Sequence, residues 1–162
     1  MILTALAFLL ATAFPSANQT SWMSPQSFHL AVGMSRADAV KTLAESGWEA
    51  KRGKTDDELV VDYSDSRALT LEFKKNRLHS LRFELFAMLP EIRSAFDEQK
   101  TLLRKAHGEP KKGLRSDAVV LYDDRLPNIM VVVSADPSSE YGQKGFGFLA
   151  VRYFDPVTHS DR

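Results

Sequence analysis

The sequence predicts an α+β fold in which two helices pack on one face of an antiparallel sheet, in the order α-ββββ-α-βββ. Three observations carry the prediction: a sharply capped helical stretch at 32–50, strict alternation over 69–85, and a longer helical repeat at 89–107 followed by three apolar runs. Short connections between the strands favour antiparallel neighbours.

The first helix opens at Ser35, an N-cap whose oxygen can take the amide of Asp38, and Asp38 adds charge that suits the helix dipole. Ala39, Val40, Leu43 and Ala44 form its apolar stripe, and Gly47 fits the left-handed position that ends it, so the helix should span about Arg36 to Ser46. From Trp48 the period changes to two. "WEAKRG" and "ELVVDYS" read as strands separated by the charged turn Lys54 to Asp57. Leu69, Leu71 and Phe73 then alternate with Thr70, Glu72 and Lys74, and Leu81, Phe83 and Leu85 alternate with Ser80, Arg82 and Glu84. This is a hairpin with one apolar and one charged face, turned at Lys75-Asn76-Arg77, where Asn can adopt positive φ.

The second helix should run from Leu89 to His107, with Pro90 tolerated in its first turn and Gly108 and Pro110 as its stop. Ile92, Ala95, Phe96, Leu102, Leu103 and Ala106 supply the buried stripe. Strands at Ala118 to Tyr122, Ile129 to Ser134 and Phe146 to Phe154 complete the pattern. "NIMVVVSA" is apolar at both parities and is expected in the interior of the sheet.

Residues 1–17 carry an apolar run from Ile2 to Phe14, with no charged side chain before Arg36. The run is too short for the ~20 residues of a membrane-spanning helix, and it ends at Pro15, so it reads as a secretory signal peptide with Ala11-Thr12-Ala13 as a small-x-small cleavage pattern. A flexible lead-in at 18–31, a single domain at 32–156 and a tail at 157–162 follow. The chain has no cysteine, which removes disulfides and any lipid-accepting thiol, and a mature chain of about 145 residues can bury a core without them. A periplasmic or secreted location is expected, with no stable membrane span.

Lys and Arg together number 21 and Asp and Glu also 21, a balance that disfavours nucleic acid as a partner. His29, His79, His107 and His159 show no metal-ligand spacing, so no metal or other cofactor is expected. Asp123-Asp124 offers paired carboxylates but sits among turn formers, and Lys111, Lys112 and Arg115 read as a solvated basic loop. No GxSxG elbow or phosphate-cradling glycine loop is present, which argues against an enzyme. Trp48 and Phe146 read first as core.

The distinctive feature is the outward face of the sheet. Glu72, Lys74, Arg82, Tyr122 and Arg152, together with Tyr141 in the Ser/Gly-rich stretch before the last strand, are the candidate partner-binding residues, because Arg and Tyr dominate interface hot spots.

Gly33-Met34-Ser35 with Val40 and Leu43, followed by a glycine-ended helix and the hairpin "LEFKKNRLHSL", resembles the small lipoprotein of the outer-membrane barrel-assembly machinery and the β-lactamase-inhibitor-protein-like domains. The likeness covers roughly residues 32–85. It implies a non-catalytic domain that binds another protein through its sheet and loops. The missing lipidated Cys breaks the pattern, as does a second helix longer than the usual repeat, so membrane tethering does not carry over.

The functional expectation is an exported protein-binding module of inhibitor, immunity or envelope-assembly type, with another envelope or secreted protein as partner. The alternative is a small-molecule or lipid carrier with an apolar pocket between sheet and helices. A hydrolase acting on the cell wall has only its compartment in favour.

Overall fold

The computed structural model describes residues 20–109 and 145–156, and between them the backbone of 118–122 and 130–136. The expected signal peptide, the tail 157–162 and the side chains of Tyr141, Asp123 and Asp124 lie outside the described residues.

The chain is α+β. A 3-10 turn, Pro25–Phe28, precedes α1 (Arg36–Glu45), β1 (Lys51–Arg52), β2 (Glu58–Ser64), β3 (Arg67–Lys74) and β4 (Arg77–Met88). Then come α2 (Leu89–His107), β5 (Ala118–Tyr122), β6 (Met130–Asp136) and β7 (Phe146–Phe154). The strands form one seven-stranded sheet in the order β1-β2-β3-β4-β7-β6-β5, antiparallel at every step. Thus β4 is central: four strands meander toward it, α2 carries the chain across, and three strands meander back to close on it as β7. The run "MVVVSAD" lies between β5 and β7, flanked on both sides.

Period-two alternation sorts the side chains into two faces. Leu59 and Val61 of β2, Leu69, Leu71 and Phe73 of β3, Leu81, Phe83 and Leu85 of β4, and Leu149, Val151 and Tyr153 of β7 are buried and form one core with Ala39 and Leu43 of α1 and Ile92, Ala95 and Leu103 of α2. The intervening residues occupy the opposite, open face.

Local chemistry explains the ends of α1. Ser35 Oγ accepts the Asp38 amide at 3.1 Å, as the capping pattern requires. Gly47 takes φ 81°, its amide reaches the Ala44 carbonyl at 3.0 Å and the Trp48 amide reaches Leu43 at 2.9 Å, the paired bonds of a Schellman stop. The start of α1 is also stapled to the β3–β4 turn: Arg36 donates to the Asn76 carbonyl, Leu78 to Met34 and Gly33 to Leu78, at 2.7–2.9 Å. The start of the first helix and the hairpin turn are therefore physically joined.

Several expectations need correction. Residues 20–31 are no flexible lead-in, because Trp22, Met23, Phe28 and Leu30 are buried in the core, Phe28 and Met23 to 1% exposure. Trp22, Phe28, Trp48, Tyr63 and Phe83 form a connected ring cluster with centroid spacings of 4.9 to 6.1 Å. The expected strand at Trp48 shrinks to two residues, since Trp48 and Ala50 turn inward to pack against this cluster. Val40 and Ala44 face solvent, as do Leu102 and Ala106 on α2, where the stripe is instead Ile92, Ala95, Gln99 and Leu103. Gln99 is buried because it has a partner: its amide donates to the Thr20 carbonyl at 2.7 Å, tying α2 to the N-terminal segment.

At the β3–β4 turn both Lys75 (φ 50°) and Asn76 (φ 60°) are left-handed, the geometry of a type I′ hairpin turn that favours Asn-Gly. The double change Lys75→Asn/Asn76→Gly is expected to raise stability by about 0.5–1 kcal/mol, read as a higher urea midpoint at unchanged m.

Candidate functional site: the open face of the sheet

Cross-strand register places the candidate residues. One row runs Thr70, Arg82, Arg152, and the next runs Glu72, Ser80, Phe154, Met130, Tyr122. Arg82 and Arg152 face each other directly, a repulsive arrangement unless each finds an anion. Each does. Arg152 donates through its terminal nitrogen to Glu72 Oε2 at 2.6 Å and through Nε to Ser80 Oγ at 2.8 Å, with its guanidinium 5.3 Å from the centre of the Phe154 ring. Arg82 turns to Glu84, with Nε 3.2 Å from Oε1.

The structure thus brings Glu72, Arg82 and Arg152 together, but as an alternating lattice of charges paired within the sheet. Glu72 and Arg152 side chains are only 20% and 29% exposed, and Ser80 beneath them is fully buried. Lys74 lies beside the hairpin turn, opposite Arg77. Tyr122 ends β5, three strands from β4 across the sheet, and Tyr141 lies outside the described residues.

Glu84 has its carboxyl held above the ordinary carboxylate range, chiefly because burial penalises its charge; Arg82 and the Thr70 hydroxyl, 3.5 Å away, oppose the shift. A carboxyl raised on folding binds its proton more tightly in the native state. The native state is therefore penalised as pH rises from the ordinary glutamate value through the raised one. Glu84→Gln removes that penalty, so its stability relative to the parent should improve from pH 4 to pH 7, measured by urea unfolding at each pH.

The alternation extends past Glu84, and this end of the face is where the surface opens. Phe86 pairs with Phe148 and Met88 with Phe146 across β4 and β7, and the Phe86 and Phe146 rings stack at 5.3 Å and 11°. Met88 is 52% exposed. Beside this apolar quartet, Ala68 and Ala150 flank Glu84 in register with side chains too short to fill the space above the strands. A groove of about 420 Å³ results, bounded by Asp62 of β2, by Asp65 of the β2–β3 turn, by Glu84, and by Phe86 and Phe148. The turn is held in place by the Phe86 amide donating to the Ser66 carbonyl at 2.9 Å.

These residues were not among the sequence candidates, and Phe146 read as core. The signal was present: 86 and 88 share the parity of Arg82 and Glu84, and 146 and 148 share that of Arg152. Between sheet and helices, where a carrier would hold its ligand, Leu69, Leu71, Leu81, Phe83, Ile92 and Leu149 are each at most 1% exposed.

Among the described residues no three His, Asp or Glu converge as a metal site, and no helix is long and apolar enough to cross a membrane. Comparison of the chain with protein-family models, with curated proteins and with solved structures gives no match.

Proposed function

We propose that this chain is an exported, non-catalytic protein-binding domain of inhibitor, immunity or envelope-assembly type that engages its partner through the open face of the sheet. The observation that carries the reading is the apolar quartet Phe86, Met88, Phe146 and Phe148, left half-open beside a groove with a charged rim. Large apolar and aromatic side chains next to a polar rim are the composition of an interface core, and a lone domain gains nothing by keeping them wet. The fixed charge lattice next to them supplies a rigid, preorganised border.

The test places a photo-crosslinking residue at Ser66 of the full chain in its native host, with the same residue at Lys105 on the exposed side of α2 as control. One discrete protein adduct is expected from Ser66 and not from Lys105, and Phe148→Ser should remove it. Equal labelling from both positions, or none from Ser66 in a folded chain, would overturn the reading.

A further inference from the structure

We infer that the groove at the β2–β3 turn receives an arginine side chain presented by the partner protein; the inference rests on the protein-binding reading and names what the groove selects. Three carboxylates, Asp62, Asp65 and Glu84, stand at this rim. Three cations act on them: Lys51, 3.0 Å from Asp62, Arg82, 3.2 Å from Glu84, and Lys54, whose charge also favours the ionised Glu84. Arg67 also borders the groove, but its guanidinium lies 5.7 Å from the centre of the Trp22 ring and 5.8 Å from that of Tyr63, on the core side of the sheet. Asp65, exposed at the hairpin tip, is thus the rim carboxylate with no ion pair among the described residues.

The walls decide which cation fits. Phe86 and Phe148 place two aromatic rings beside the carboxylates, a combination that suits a flat, weakly hydrated guanidinium, which can stack on a ring and pair with a carboxylate together. An ammonium is a compact, strongly hydrated point charge and uses only the carboxylate. The same face shows the arrangement in use, because Arg152 sits between the Glu72 carboxylate and the Phe154 ring in the row beyond. In the groove, the carboxylates and rings recur with room for a guest. At about 420 Å³ the groove falls within the range of roughly 300–1,000 Å³ typical of ligand sites, large enough for a long side chain with its flanking backbone. Charge complementarity thus points to a basic partner segment, and the rings point to arginine within it.

The probe is the blocked tripeptide acetyl-Gly-Arg-Gly-amide, titrated into the isotope-labelled full chain and followed by amide chemical shifts. Its lysine and citrulline analogues serve as comparisons, citrulline being the neutral counterpart of arginine. The arginine peptide should shift Asp65, Ser66, Phe86 and Phe148 and bind about fivefold more tightly than the citrulline peptide, with the difference shrinking at high salt. Asp65→Asn/Glu84→Gln, which keeps the side-chain sizes, should weaken it by a similar factor without lowering the unfolding midpoint at pH 7. Equal binding of the arginine and citrulline peptides, equal binding of the arginine and lysine peptides, or shifts away from the groove would each overturn the inference. A Ser66 adduct that survives the double variant also overturns it while leaving the protein-binding reading standing; absence of any Ser66-specific adduct overturns that reading itself.

Discussion

Phe28→Ala is expected to cost about 3–5 kcal/mol and to lower the melting temperature by roughly 10–15 °C, as large a loss as any single truncation in the core of the sheet. The residue is 1% exposed and its ring approaches Trp48, Tyr63 and Phe83 at 5.6 to 6.1 Å. Removing it empties a site bordered by three elements besides its own segment: the approach to β1, β2, and the central strand β4. Such a site cannot collapse by moving one side chain, so the cavity term adds to the lost transfer energy. Leu102→Ala, at 37% exposure on α2, is the control and should stay within about 0.5 kcal/mol. Thermal unfolding by circular dichroism checks both. A change of less than about 2 °C in Phe28→Ala would show that residues 20–31 are dispensable to the folded domain.

That segment also marks where sequence reasoning stops. Its apolar residues, Trp22, Met23, Phe28 and Leu30, follow no helical or strand period, so pattern reading sees only a polar stretch around Pro25. Their burial is decided by the ring cluster formed with Trp48 and Tyr63, a tertiary fact with no local signature. Where local chemistry governs, the sequence is legible. Ser35, Asp38 and Gly47 define α1 at both ends, and the alternation from Leu69 to Leu85 defines the hairpin and its two faces.

The helix stripes are a middle case. Val40 and Leu102 have helical spacing, but α1 and α2 present narrower faces to the sheet than their apolar residues allow, while Gln99 enters the core because the Thr20 carbonyl meets it. The open face was legible in parity and not in role. Charged outward residues attracted attention as binding groups, yet in the sheet they neutralise one another. Of the apolar residues of the same parity, Phe146 reads as core from the sequence, and Phe86, Met88 and Phe148 carry no signal of their role beyond parity.

Arg152→Met tests that reassignment and should destabilise the domain by about 2–3 kcal/mol. The change leaves the Glu72 carboxylate, 20% exposed, and the buried Ser80 hydroxyl without the donor that reaches both. An uncompensated buried charge is what makes such a break costly; the full range of about 3–5 kcal/mol applies to sealed pairs, and partial exposure lowers it here. Glu72→Leu alone strands the guanidinium, which keeps Ser80 and the Phe154 ring, and should cost less, about 1–2 kcal/mol. With both changes no charge is left unpaired, so the double variant should lie within about 1 kcal/mol of the parent, and the cycle should return a favourable coupling of roughly 3 kcal/mol. Urea unfolding of the four proteins at one pH and salt supplies the cycle. If Arg152→Met proved harmless to stability while abolishing the Ser66 adduct, the pair would be a hot spot held ready for a partner. The geometry argues the other way: a guanidinium already engaged by a carboxylate, a buried hydroxyl and an aromatic ring has little left to offer a second protein. Its contribution is to hold the face rigid beside the groove.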